Sequence, residues 1–197
     1  MEETFALAFQ NHKKNNLQIA ENLYKKILKK NPNHFESIYY LGKLLAQTKR
    51  FDLAKQLLHK AIQIQPNYAK AHNNLGIILT KLGEDQKAMS SFEKAIQIEP
   101  NYATAHSNLG NVLSELGEQQ KAMSSYEKAI QIEPNYAIAH NNLGNVLNEL
   151  GEHQKAKKIY QMAVKYEPEN LVYLYHLGRI DEKILHTYLK NKIYEII

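Results

Sequence analysis

The sequence predicts an all-α protein, a solenoid of antiparallel helix pairs stacked at a period of 34 residues. Three observations carry that reading. The only prolines, Pro32, Pro66, Pro100, Pro134 and Pro168, each follow the last by 34 residues. Leu-Gly pairs recur at 41–42, 75–76, 109–110, 143–144 and 177–178, in the same phase. Between these marks the apolar residues return at i, i+3, i+4 and i+7, the spacing of one helix face. A fixed period of this length means a stacked array, because a single unit cannot bury its own apolar face.

The expected organisation is one elongated array over 1–197, with units 1–34, 35–68, 69–102, 103–136 and 137–170 and a partial or capping unit 171–197. The first unit places Phe5, Leu7 and Phe9 on one helix and Leu17, Ala20, Leu23, Tyr24 and Ile27 on the next. The unit 103–136 shows the pattern most clearly and matches its predecessor at 26 of 34 positions. Its first helix carries Ala103, His106, Leu109, Gly110 and Leu113 as an apolar stripe. Gly117 then supplies a left-handed stop. The second helix carries Ala122, Met123, Tyr126, Ala129 and Ile130; Pro134 ends it, and Asn135 is placed to cap the helix that follows. In the last unit Asp181 can cap a helix whose stripe is Ile184, Leu185, Tyr188, Leu189, Ile193 and Ile197. That stripe either folds back on the core or belongs to the front portion of a longer protein.

The glycines fall into two classes. Gly83, Gly117 and Gly151 are turn positions, whereas Gly42, Gly76, Gly110, Gly144 and Gly178 sit inside helices, where each costs about 1 kcal/mol against alanine. A cost repeated at one phase implies close approach by a neighbour. The expected neighbours are the small residues Ala54, Ala88, Ala122 and Ala156, twelve positions on. No glycine remains for a phosphate-cradling loop.

Composition narrows the class. No run approaches the ~18 apolar residues a membrane helix needs, and the start Met1-Glu2-Glu3-Thr4 is unlike a secretory signal. The absence of cysteine excludes thiolate metal sites and fits a reducing compartment, so the expected location is cytoplasmic. Net charge is +5. Residues 1–60 carry eleven Lys/Arg against five Asp/Glu, while 61–136 carry six against eight. The cluster Lys25, Lys26, Lys29 and Lys30 reads as a solvated outer face, because no aromatic or arginine interleaving accompanies it.

The Leu-Gly pairs, the alanines named above and Ala61, Ala95, Ala129 and Ala163 before each proline resemble the tetratricopeptide repeat (TPR) family over nearly the whole chain. Departures are Ala8, where glycine is usual, and His72, His106 and His140, where tryptophan is common. The resemblance implies a right-handed superhelix whose first helices line a concave groove.

Catalytic and metal chemistry find no footing. His72, His106 and His140 share a phase, but helices in contact lie ~8–10 Å apart. Zinc–nitrogen bonds of ~2.0–2.1 Å therefore cannot join the three. They are expected to pack, with their polar edges satisfied. Ser90, Ser91, Ser124 and Ser125 recur without a unique His/Asp partner, and no asymmetric convergence of groups marks an active site. The chain is read as non-enzymatic, with no cofactor.

The face of each first helix opposite the stripe is more informative. Asn74, Asn108 and Asn142 precede the recurring leucines; Asn73, Ser107 and Asn141 come one step earlier; Ile77, Asn111 and Asn145 follow two residues after. An asparagine can pair with both groups of a peptide unit through its carbonyl and its NH2. Rungs ~10 Å apart match about three residues of extended chain. Similar asparagines line the groove in the repeats of O-linked N-acetylglucosamine transferase, and these units resemble those. Hydrogen bonds of ~0.5–1.5 kcal/mol each fall short of the ~8 kcal/mol that micromolar binding requires. Tyr39, Tyr40, Ile77, Ile138 and Tyr175 are therefore expected to add apolar anchors. Lys43, Lys70 and Arg179 are the groove-phase cations and do not form the family's three-unit carboxylate clamp.

The expected function is a protein-interaction scaffold that binds an extended peptide segment through Asn73, Asn74, Asn108, Asn111, Asn141, Asn142, Asn145, Tyr39, Tyr40, Lys43, Ile77 and Tyr175. The alternative is the N-terminal substrate-recruiting region of a larger transferase, a glycosyltransferase or sulfotransferase. RNA binding by a helical-repeat code is disfavoured by the weak charge of the groove. An exposed apolar array end would allow self-association.

Overall fold

Every second helix ends where a proline forbids its continuation. A computed structural model of the protein describes residues 1–180, and the expectation placed on Asp181 to Ile197 lies outside them. The residue before each proline is driven out of the helical region, as the ring of the following residue requires. Gln65 and Glu99 stand at φ −129° and −130°, ψ 86° and 87°.

The chain divides into two compact units, Met1–Pro100 and Asn101–Ile197. The first holds α1 (Glu2–Lys13), α2 (Leu17–Lys30), α3 (Phe35–Gln47), α4 (Phe51–Ile64), α5 (Ala69–Lys81) and α6 (Asp85–Ile98). The second holds α7 (Ala103–Glu115), α8 (Gln119–Ile132), α9 (Ala137–Glu149), α10 (His153–Tyr166) and α11 (Leu171–Ile180). Among the described residues there is no strand. Within each unit, sequential helices pack on one another, and first helices also touch one repeat apart, α3 on α5 and α7 on α9.

The turn inside each pair is a left-handed stop. After α7, Gly117 takes φ +78°, its N–H donates to the Ser114 carbonyl, and the Glu118 N–H donates to the Leu113 carbonyl. Two helix-terminal carbonyls that lack intrahelical partners are thereby satisfied. The first two repeats make the same turn without glycine: Asn15 takes φ +61° and Lys49 φ +58°.

The helix starts differ from expectation. Tyr136, not Asn135, is the boundary residue of α9, because the Tyr136 carbonyl accepts from the Ala139 and His140 N–H groups. No side chain caps that helix. An Asn135 cap would need the helix to begin one residue earlier. The sequence signal that does tie down α9 is the histidine. His140 donates its Nε2–H to the Pro134 carbonyl at 2.9 Å, and His72 does the same to Pro66 at 2.9 Å. Each ring thus pins its helix to the turn before it, as the packing role anticipated, but not every polar edge is satisfied: His140 Nδ1 is buried without a hydrogen-bond partner among the described residues.

The glycine expectation is right about close approach and wrong about the neighbour. A Cβ on Gly76 would lie 2.6 Å from the Phe92 ring; on Gly110, 2.6 Å from Tyr126; on Gly144, 2.6 Å from Tyr160. The aromatic ring sixteen residues on fills the space, not the alanine twelve residues on. Ala54, Ala88, Ala122 and Ala156 are fully buried at other contacts of the second helices.

Candidate functional site

In the second unit the face of α7 and α9 opposite the buried stripe carries Asn108, Asn111, Asn142 and Asn145, all partly exposed. Their side chains are not independent rungs. The Asn111 carbonyl oxygen accepts from Tyr126 Oη at 2.8 Å and from Asn142 Nδ2 at 2.8 Å. The Asn145 carbonyl oxygen accepts from Tyr160 Oη at 2.8 Å. Gly110 and Gly144 make this possible, since only a residue without Cβ lets the ring slide beneath the first helix and reach the next side chain. Burial raises the pKa of Tyr126 and pushes that of Tyr160 up to about 12, so both hydroxyls carry their protons at neutral pH and act as donors.

This geometry corrects the idea that each asparagine pairs with both groups of a ligand peptide unit. Asn111 and Asn145 have their acceptor already engaged from within. Their amide NH2 groups make no hydrogen bond to other described residues; the Asn111 oxygen has both lone pairs taken and leaves only donors, whereas the Asn145 oxygen, with one partner, keeps a second lone pair.

Asn141 and Asn73 depart further from expectation. Both are buried, at 6% and 3% exposure, and belong to the packing between helices. The Asn141 carbonyl oxygen meets His176 Nδ1 at 2.8 Å, and its Nδ2 lies 3.3 Å from Asn142 Oδ1. For Asn141 the reason is phase: it faces α11, the first helix of the next repeat, a contact invisible in any single repeat. Ser107 is buried at the same phase.

Two hollows sit along this face. One of about 770 Å³ lies between α9, α10 and α11, lined by Asn145, Asn148, Glu149, His153, His176 and Arg179. The other, about 340 Å³, lies one period earlier, with Asn111, Glu115, Tyr126, Asn142, Asn145 and Glu149 on its walls. Burial, aided by the Arg179 charge, lowers the pKa of His176. Tyr175 is 57% exposed, with the Arg179 guanidinium 5.9 Å from its ring centroid.

In the first unit the equivalent face is aromatic and cationic at one end. Tyr40 is half-buried and meets Phe9 edge to face at 4.9 Å; Lys43 Nζ stands 5.6 Å from the Tyr40 centroid and 5.9 Å from that of Tyr39. Tyr39 itself is buried, and its hydroxyl accepts from Asn74 Nδ2 at 2.9 Å. It therefore holds an asparagine in place and is not an exposed anchor. Ile77 is half-buried, and Phe92, fifteen residues on, has no hydroxyl where Tyr126 and Tyr160 have one.

The residues weighed for catalysis are engaged elsewhere. Ser90, Ser91, Ser124 and Ser125 each donate to the carbonyl four residues earlier in their own helix. Among the described residues no group of three His, Asp or Glu side chains could hold a metal ion. No described helix is long and apolar enough to cross a membrane.

Comparison with known proteins agrees with this geometry. Tetratricopeptide-repeat models match residues 12–76 and 137–170, and a TPR-repeat model matches 77–117 and 110–151. The chain belongs to the tetratricopeptide-repeat family. No functionally curated protein matches the sequence significantly. Among solved structures it is similar to MamA, at 30% identity over 84% of this chain and 97% of that one, with a TM-score of 0.74. It shares its fold with Pseudomonas aeruginosa PilF (19% identity, 95% and 87% covered, TM-score 0.84). The same holds for YrrB, described as a TPR protein with an unusual peptide-binding site (22% identity, 87% and 89% covered, TM-score 0.70).

Two features escaped the sequence reading. One is the tyrosine beneath each asparagine. Its signal was present, since Tyr126 and Tyr160 stand fifteen residues after Asn111 and Asn145, whereas Phe92 follows Ile77 and Leu58 follows Lys43 at the same spacing. The other is an ion pair between repeats in which a buried Glu21 carboxylate meets a partly exposed Arg50. Arg50 Nη1 and Nη2 donate to the two Glu21 carboxylate oxygens at 2.9 and 2.6 Å, and Lys25 joins at 2.7 Å. The next repeat reverses the polarity at the same two positions, with Lys55 donating to Glu84 at 2.8 Å.

Proposed function

We infer that this TPR protein is an interaction scaffold that holds an extended segment of another protein along the faces of its first helices. The observation that carries the reading is the pair Asn111 and Asn145, whose amide donors are part-exposed and held in orientation by buried tyrosine hydroxyls. A side chain fixed before binding loses less conformational entropy when a ligand arrives, and each of its hydrogen bonds then contributes more net affinity. Main-chain carbonyls of an extended segment are the acceptors such donors suit. The peptide-binding site named for YrrB is in keeping with a binding role for this fold, and the asparagine resemblance to O-linked N-acetylglucosamine transferase is in keeping with an amide-lined groove. That second resemblance is also what a substrate-recruiting region of a transferase would display.

The test uses Asn111 and Asn145, the two residues whose oriented donors carry the reading, changed together to alanine. The variant should keep its helical circular dichroism, while partner capture from a native extract should fall. Capture at wild-type levels would remove the asparagines from the binding surface.

A further inference from the structure

We propose that the charged pairs joining the first three repeats set the order in which those repeats stack. Their reversed polarity makes repeat 2 (α3 and α4) the one neighbour that repeat 1 (α1 and α2) accepts, and it keeps two copies of the chain from stacking through repeat 2.

Stacking in the wrong order is a hazard built into the period. Like repeats bury the same apolar stripe, so that burial does not tell one neighbour from another, and misassembly is a characteristic failure of such arrays. Charge at the junction does tell them apart. Each junction brings a residue in the first turns of one second helix to the boundary residue of the next second helix. At the first, both Arg50 nitrogens donate to Glu21 at 2.9 and 2.6 Å; at the second, Lys55 donates to Glu84 at 2.8 Å. The cation beside each carboxyl holds its pKa down at about 2, so both pairs are ionised at neutral pH.

The start of α4 departs from the other second helices. Glu84, Glu118 and Glu152 open α6, α8 and α10, where the helix dipole favours a negative charge; Arg50 opens α4, where the same dipole opposes it. Local helix chemistry therefore prefers the opposite polarity at the first junction, that of the second. The arrangement present gives up this preference, and what it gains is selectivity. Among these four helix starts Arg50 is the single cation, so Glu21 finds an opposite charge on repeat 2 and a like charge on each later one. Lys55 in turn would meet Arg50 if repeat 2 stacked on the same repeat of a second copy. Like charges facing each other across a junction disfavour the wrong partner by about tenfold or more. Further along the chain Met123 stands at the position equivalent to Lys55, and Glu152 pairs with Lys155 of its own helix.

The test refolds the full chain from urea at about 1 and about 100 μM and measures dimer by size exclusion with light scattering. Glu21→Lys/Arg50→Glu keeps an ion pair at the first junction and gives it the polarity of the second. At the higher concentration this variant should leave about tenfold more dimer than wild type. Adding Lys55→Glu/Glu84→Arg restores the reversal. The fourfold variant should refold to monomer as wild type does, although it carries the same clash between position 21 and Lys25. Lys55→Glu/Glu84→Arg alone makes the two junctions alike in the other sense and should also dimerise, so the proposal stays testable if the first variant fails to fold. Monomer recovery at the wild-type level in both two-site variants overturns the proposal. A fourfold variant that dimerises as much as they do, or fails to fold, overturns it too, because altered charge and not its order would then be the cause.

Discussion

Replacing Gly144 by alanine, beside the same change at Gly42, separates two opposing effects of one methyl group. Alanine is favoured over glycine inside a helix by about 1 kcal/mol. At Gly42 the added Cβ would meet Leu57 and Leu58 at 3.4 Å, ordinary van der Waals contact. Gly42→Ala should therefore stabilise the protein by about 0.5–1 kcal/mol. At Gly144 the Cβ would lie 2.6, 2.7 and 3.1 Å from three atoms of the Tyr160 ring, and that ring is buried. Overpacking of this kind costs about 1–3 kcal/mol. Withdrawal of the ring would also break its hydrogen bond to Asn145, at about 1 kcal/mol. The net result is a destabilisation of about 1–3 kcal/mol. The first repeat shows the alternative arrangement: Ala8 stands where the glycine would be, and the Tyr24 hydroxyl lies 3.4 Å from His12 Nδ1. Urea unfolding followed by circular dichroism should move the midpoint up for Gly42→Ala and down for Gly144→Ala. Adding Tyr160→Leu to Gly144→Ala, which recreates the Gly42 neighbourhood, should remove most of the strain relative to Tyr160→Leu alone. Midpoints that move in the same direction for both single changes would refute the reasoning.

Other perturbations have equally definite signs. The Arg50 hydrogen bonds hold the Glu21 pKa down at about 2, against an ordinary 4.5, so Glu21→Gln should cost about 2 kcal/mol after allowance for the partial exposure of Arg50. Because the folded-state pKa is depressed, that contribution is complete above about pH 4.5 and is lost as pH falls toward about 2. Unfolding curves of wild type and Glu21→Gln should therefore converge in acid and stay apart at neutral pH. Lys49→Gly should stabilise by about 0.5–1 kcal/mol, since it relieves a side chain held at φ +58°. Gly117→Ala, at φ +78°, should shift the urea midpoint the other way.

The period of the prolines and the helical spacing between them made the architecture legible. Pro134 and Gly117 act on their own backbone, and local steric rules need no knowledge of distant residues. The packing histidines were legible for the same reason, since His140 reaches a carbonyl only six residues away. Asn135 was misjudged by one residue, because its capping power depends on where the preceding turn releases the chain. The partner of the helical glycines was misjudged because rings and alanines recur at the same period, and spacing alone does not say which one fills the gap.

The sequence by itself determined the helices, their stops and the amide-rich composition of one face, all properties of local backbone preference and periodicity. Tertiary structure alone decided what those amides present. Asn141 is buried where the first helix of the next repeat covers it, and the amides of Asn111 and Asn145 are oriented by tyrosines from the second helices that donate to their oxygens. A side chain's hydrogen-bonding capacity is set by the groups that already occupy it, and those groups arrive only when the helices pack.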